Sequence, residues 1–117
     1  MLQININEFF ENLSELLLSI EVTDGSGASL LLEAGAEQTV QMMLDTKSAS
    51  QKVLLAGNGG SSAIVSHVQN DLCKATGVKA MVFTEQPLLT ALANDEGYGS
   101  VFEWPIKMWA EPNDLFM

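Results

Sequence analysis

The sequence predicts an α/β fold, a three-layer arrangement of a parallel sheet flanked by helices and preceded by N-terminal helices. Three observations predict it. Lys52-Val53-Leu54-Leu55-Ala56 is a short apolar run that ends in glycine, the pattern of a strand buried on both faces. A glycine-rich turn and a helix-period stretch follow it directly. A second apolar run, further helical patterns and the opening of a third apolar run come next, so that strand and helix alternate as they do around a parallel sheet. Right-handed crossovers then place helices on both faces. Ligands of such sheets bind at the carboxyl ends of the strands, where the 57–62 turn and the 94–98 turn fall.

A length of 117 residues fits one domain with a modest core. We read a helical region over 1–50 and the sheet over 51–117. With 47% hydrophobic and 17% charged residues, the chain is globular rather than disordered. Its five basic residues are all Lys, against 15 acidic ones, for a formal net charge of −10. That balance argues against nucleic acid, whose phosphates need clustered basic groups. It also means that any anion must be held by local N–H groups and hydroxyls against the overall field. One cysteine, Cys73, rules out an internal disulfide and fits a reducing compartment. We read Cys73 as a small buried side chain. No basic, apolar leader opens the chain and no apolar run approaches a membrane span, so a cytoplasmic protein is expected.

Taken in order, Ile6, Phe9, Phe10, Leu13, Leu16, Leu17 and Ile20 recur at steps of three and four and predict a helix over 6–20. Asn5 or Asn7 caps its start. So large an apolar stripe must pack within the chain or at a homo-oligomer interface. Residues 21–29 read as a break, with turn chemistry at Asp24-Gly25 and Gly27. A second helix runs from about Leu31 to Lys47, with Leu32, Ala36, Val40, Met43 and Leu44 on one side and Gly35 as a weak point. The strand 52–56 follows. The next helix spans about 61–76, with Ile64, Val68, Leu72 and Ala75 as its buried stripe, and Gly77 ends it. Val78 to Thr84 is the second strand. A helix lies beyond Pro87, closed by the turn Asn94-Asp95-Glu96-Gly97-Tyr98. A further helix, Ser100 to Ala110, contains Pro105, which implies a kink or a late start. Leu115-Phe116-Met117 opens a third strand at a sheet edge, with Trp104, Trp109 and Phe116 poorly covered.

The chemistry is expected at Gly57-Asn58-Gly59-Gly60-Ser61-Ser62. Its glycines permit positive φ and close approach of a ligand to the backbone. Ser61 or Ser62 caps the following helix, whose first N–H groups lack internal partners and carry the positive end of the dipole. Such a turn is an anion site, typically for phosphate, or else a tight connection with no ligand. It is neither the dinucleotide fingerprint nor the P-loop. His67 and Asp71 stand four apart on one helix face, able to share a metal ion or to form only a surface pair. Asn94 and Asp95 either bond polyol hydroxyls or make a turn.

The stretch VLLAGNGGSSAIVSH, an acid four residues after the His, and LLTALANDEGYGSVFE downstream together resemble the sugar isomerase (SIS) domain family, and within it the phosphoheptose isomerases. The resemblance covers about residues 50–117. It implies a flavodoxin-like topology of which 51–117 is the first half, incomplete at the C-terminus. It also implies isomerisation of sedoheptulose 7-phosphate to a heptose phosphate through an enediol, in heptose and lipopolysaccharide biosynthesis. Substrate contacts are implied at Asn58, Gly59, Gly60, Ser61, Asn94 and Asp95. Zinc ligands are implied at His67 and Asp71, with Asp71 also moving the proton. Asp71 stands where many members carry Glu, a side chain longer by roughly 1.5 Å at ordinary bond lengths. The family's second Ser/Thr-rich loop and its later Gln and His ligands have no counterpart here, so the chain on its own is expected to lack activity. A non-catalytic module that binds a phosphosugar or a protein partner is the alternative.

Overall fold

The computed structural model describes residues 5–117. These divide into two compact units, one running to Val40 and the other Gln41–Met117.

In the first unit, helix α1 (Ile6–Leu18) begins at Asn5, whose side-chain oxygen accepts the Asn7 amide at 3.0 Å. No residue of α1 is buried, and the whole stripe from Ile6 to Leu17 meets solvent. The break expected over 21–29 is a hairpin instead. Its strands β1 (Val22–Thr23) and β2 (Ser29–Leu30) pair antiparallel, Val22 opposite Leu30. Strands of two residues are too short to show an alternating pattern. Asp24 builds the turn. It accepts the Ser26 hydroxyl at 2.7 Å and the amides of Ser26 and Ala28 at 2.8 and 3.0 Å. These donors, the hydroxyl foremost, hold its carboxyl below the usual range.

Helix α2 (Leu32–Ser48) continues into the second unit. A Cβ on Gly35 would lie 2.5 Å from Val22 Cγ1, so this glycine lets the helix lie directly on β1. The side expected to be buried is not. Leu32, Ala36, Val40 and Leu44 are exposed and Met43 is half-buried, whereas Gly35 and Thr46 are buried. The threonines tolerate this because each hydroxyl is satisfied within the helix: Thr39 bonds the Gly35 carbonyl at 2.9 Å and Thr46 that of Met42 at 2.8 Å.

The second unit is the α/β part. Its elements are β3 (Lys52–Leu55), α3 (Gly60–Asp71), a π-helical turn Leu72–Thr76, β4 (Lys79–Val82), α4 (Gln86–Asp95), α5 (Ser100–Trp109) and β5 (Leu115–Phe116). The sheet is parallel in the order β4-β3-β5, with Val53 opposite both Ala80 and Leu115. The buried residues Val53, Leu54 and Leu55 make β3 the centre, and burial of each such side chain contributes about 1.5–3 kcal/mol. Successive residues point to opposite faces. Val53, Leu55, Ala80, Val82 and Leu115 meet Met43 of α2 and Val65, Val68 and Leu72. On the other face Met81 joins Leu88 and Leu89 of α4 and Val101 and Pro105 of α5 around a cavity of about 340 Å³. The result is the three-layer α/β fold expected.

Several details differ from the sequence reading. Val65, not Ile64, begins the buried stripe of α3, and Ile64 is 65% exposed. At about 100° per residue Ile64 falls at the border of the stripe set by Val65, Val68 and Leu72. The wider π-helical turn rotates less per residue after Leu72 and carries Ala75 out to solvent. Cys73 is likewise exposed rather than buried. Gly77 (φ +67°) does end the helix, and the Val78 amide bonds back to Leu72 at 3.0 Å. Helix α4 holds Pro87 in its first turn and runs through Asp95, so Asn94 and Asp95 lie in its last turn rather than after it. Helix α5 starts at Ser100 and passes through the fully buried Pro105. Trp104, Trp109 and Phe116 are about half exposed, as expected. Among the described residues no helix is long and apolar enough to cross a membrane.

A clamp fastens β5 to β3. Lys52 Nζ lies 2.7 Å from both Glu111 Oε2 and Asp114 Oδ2. Asp114 also accepts the amides of Lys52 at 3.0 Å and Glu111 at 2.8 Å. Its side chain is only 4% exposed. Burial pushes its carboxyl up, but the Lys52 ammonium and the two amides more than offset this and hold it below 3.8. The same contacts, Asp114 first, raise Lys52. A carboxyl depressed on folding contributes stability above its unfolded pKa and loses it as pH falls through the lower folded value. Asp114→Asn is therefore expected to lower Tm at neutral pH, and the gap from wild type should close as pH drops below 3.8. Thermal melts between about pH 2 and 7 read this directly, and a gap of constant size would show that charge is not what holds the clamp.

Candidate functional site

Strand β3 ends at Leu55 and α3 begins at Gly60, so four residues turn the chain around. The turn is tight because a Cβ on Gly57 would lie 2.7 Å from the Ser61 carbonyl carbon and oxygen and 2.9 Å from the Ser62 nitrogen. These are backbone atoms that cannot swing aside. The first turn of α3 thus rests on the strand exit, and only glycine fits at 57. Gly59, at φ +58°, takes the left-handed conformation and is the N-cap. No side chain caps this helix, which corrects the expectation for Ser61 or Ser62. Both serines sit inside the first turn, and their amides donate to the Asn58 and Gly59 carbonyls at 3.1 Å. The amides of Gly57, Asn58, Gly59 and Gly60 donate to no acceptor among the described residues. The donors open to an anion are therefore those of 57–60 rather than of the whole 57–62 turn.

The strand order places this loop well. From β3 the chain winds outward through α3 to β4, then returns over β3 through α4 and α5 to β5. The direction of winding reverses at β3, which makes its carboxyl end a topological switch point. Asn58, Gly59, Gly60 and Ser61 are all exposed there. The cavity beneath α4 and α5 is lined by none of them.

A contact that sequence reasoning missed ties the loop to the α4–α5 connection. The Tyr98 hydroxyl donates to Asn58 Oδ1 at 2.7 Å. The only signal was a tyrosine in an otherwise polar turn, forty positions away. Asn94 and Asp95 precede this connection, and they bond each other, Asn94 Nδ2 to Asp95 Oδ1 at 2.7 Å. His67 and Asp71 are also paired, Nε2 to Oδ2 at 3.5 Å, with side chains 77% and 60% exposed. At 1.5 Å per residue, the backbones of His67 and Asp71 stand about 10 Å and 16 Å from Gly60 along the axis. The contact with His67 shows the Asp71 carboxylate reaching back one turn toward the loop, as helical side chains lean. Two ligands fall short of the three that catalytic zinc takes, and no group of three His, Cys, Asp or Glu gathers among the described residues. The pair alone does not fit a zinc site. Four of the five lysines hold partners elsewhere: Lys47 on the Thr76 carbonyl, Lys79 on that of Ser50, Lys52 in the clamp and Lys107 on Glu103.

No family model matches the chain. Individual relatives do. A phosphoheptose isomerase of Akkermansia muciniphila is 29% identical over 102 residues, 82% of this chain and 54% of the relative. That of Helicobacter pylori is 30% identical over 92 residues, 74% and 48% of the two chains. That of Syntrophotalea carbinolica is 34% identical over 85 residues, 67% and 43%. The solved structure of the phosphoheptose isomerase of Neisseria gonorrhoeae superposes with a TM-score of 0.67 at 28% identity, covering 74% of this chain and 47% of that one. The chain spans about half the length of the curated relatives it matches. With a glycine turn at the switch point of a parallel sheet and this similarity behind it, the chain resembles the phosphoheptose isomerases of the sugar isomerase (SIS) domain family over about half of their length.

Proposed function

We propose that the chain holds a phosphorylated sugar at the glycine turn and forms part of a ketose–aldose isomerase that converts sedoheptulose 7-phosphate to a heptose 7-phosphate. One observation carries the reading. Four backbone amides without acceptors among the described residues line the carboxyl end of the central strand, at the positive end of α3. The names of the relatives support the substrate class.

In this reading Asn58, Gly59, Gly60 and Ser61 hold the substrate, and Asn94 and Asp95 bond its hydroxyls. Asp71 takes a proton from the hydroxyl-bearing carbon beside the carbonyl, leaving an enediolate, and returns it to the former carbonyl carbon, while the hydroxyl proton passes to the former carbonyl oxygen, so that the C=O moves by one carbon. The step is an internal redistribution with no net change in atoms or electrons. Zinc held by His67 and Asp71 would need a third donor from elsewhere, so the proton transfer is assigned to the carboxylate. The exposed stripe of α1 supports self-association into a homo-oligomer. The second reading, a module that binds a phosphosugar or a protein without turnover, is favoured by the lack of a third metal ligand among the described residues.

Titration of the 117-residue chain with sedoheptulose 7-phosphate, followed by backbone amide NMR, should move the signals of Gly57 to Gly60 first. Gly57→Ala forces a side chain into backbone and should cost about 1–3 kcal/mol of stability while removing those shifts. Shifts that survive in this variant would place the ligand elsewhere. The chain alone is expected to give no turnover. Measurable isomerisation that His67→Ala abolishes would overturn that expectation and the non-catalytic reading with it.

A further inference from the structure

We propose that Tyr98 is a positioning residue: by donating its hydroxyl to Asn58 Oδ1 it fixes the Asn58 side chain so that its NH2 group faces the ligand as a hydrogen-bond donor. This rests on the reading that the glycine turn binds a phosphosugar, and it adds a residue to which no role has been given. A carboxamide has two ends of opposite character, an oxygen that only accepts and a nitrogen that only donates. Free in solvent it turns either end outward. An oxygen turned toward a phosphate or sugar oxygen is repelled, whereas a nitrogen is attracted.

The contact decides which end is presented. Its length, 2.7 Å, is at the mode for an O–H···O bond and at the short limit for an N–H···O bond. With Oδ1 occupied, Nδ2 is turned the other way, and it bonds nothing among the described residues. Tyr98 can impose this because its own backbone is anchored. The Val101 amide bonds the Tyr98 carbonyl at 3.3 Å, and the amide and hydroxyl of Ser100 bond the Gly97 carbonyl at 3.1 and 2.6 Å. The start of α5 therefore carries the tyrosine, and the tyrosine orients an asparagine on a loop forty residues earlier. Orientation matters in a chain of net charge −10 with four of its five lysines engaged elsewhere. A neutral side-chain donor beside the loop amides adds attraction for an oxygen-rich anion without a basic residue. Core stability does not need the bond, since Asn58 is exposed and Tyr98 is 53% exposed.

The test is Tyr98→Phe in the full chain, ¹⁵N-labelled, with the Asn58 side-chain amide signals followed alone and during titration with sedoheptulose 7-phosphate and with inorganic phosphate. The variant should shift the Asn58 Nδ2 signals before any ligand is added, leave Tm unchanged and weaken sedoheptulose 7-phosphate about 3- to 10-fold, the size of one hydrogen bond. Unchanged Asn58 signals in the ligand-free variant overturn the inference. So does a lowered Tm with affinity intact, which would make the bond merely structural. If wild type shows no ligand-induced shift while Tyr98→Phe still alters the Asn58 signals, the phosphosugar reading fails and the orienting bond stands.

Discussion

The structure depends on a point where there is no room for a side chain. At Gly57 the first turn of α3 lies so close to the end of β3 that a single added carbon would overlap the Ser61 backbone. That contact folds strand into helix within four residues and leaves the amides of Gly57 to Gly60 in a row at the end of the sheet's central strand. A looser connection would have used those amides in turn hydrogen bonds or hidden them. The packing constraint and the open donors are one feature, because backbone donors concentrate where side chains are excluded. In a chain this acidic, such donors are the means of attracting an anion that its composition allows.

The two ends of the sheet divide the work. At the amino end of β3, Lys52 is surrounded by Glu111 and Asp114, and Asp114 also bonds the Lys52 amide. Strand β5 contributes only two residues to the ladder, too few to hold by pairing alone, and the buried carboxylate secures its approach. At the carboxyl end the corresponding groups are left open. Charge neutralised at one end and unspent donors at the other is the arrangement expected of a scaffold that supports a site at the switch point.

What was legible in the sequence was what local pattern controls. The run Val53-Leu54-Leu55 announced a strand buried on both faces because no polar residue interrupts it, and the glycines marked the turn. The apolar stripe of α1 and the helix end at Gly77 were equally plain, although the stripe expected to be packed meets solvent. Contacts between distant residues were not legible. Nothing near Lys52 points to Asp114, 62 positions later, and nothing near Asn58 points to Tyr98. Helix faces failed by smaller margins. Periodicity put Ile64 on the inner face of α3, and the structure turns the helix by part of a residue step so that Val65 packs there instead. The π-helical turn that exposes Ala75 and Cys73 has no periodic signature at all.

The exposure of the site bounds what it can do by itself. Asn58, Gly59, Gly60, Ser61, His67, Asp71, Asn94 and Asp95 all face solvent. In water a hydrogen bond to a ligand replaces one to solvent and nets about 0.5–1.5 kcal/mol, so these groups select and orient more than they grip. Moving a proton beside a carbonyl would ask more, because an enediolate must be kept from water and its charge met by fixed dipoles in a dry site. The pairs His67–Asp71 and Asn94–Asp95 hold each other ready but exclude no water. Open backbone donors on an exposed loop suit the attraction of an oxygen-rich anion, whereas proton-transfer chemistry needs a surface that shuts water out. Binding an anion and moving a proton within it are separate physical demands for that reason, and the open amides of the loop suit only the first.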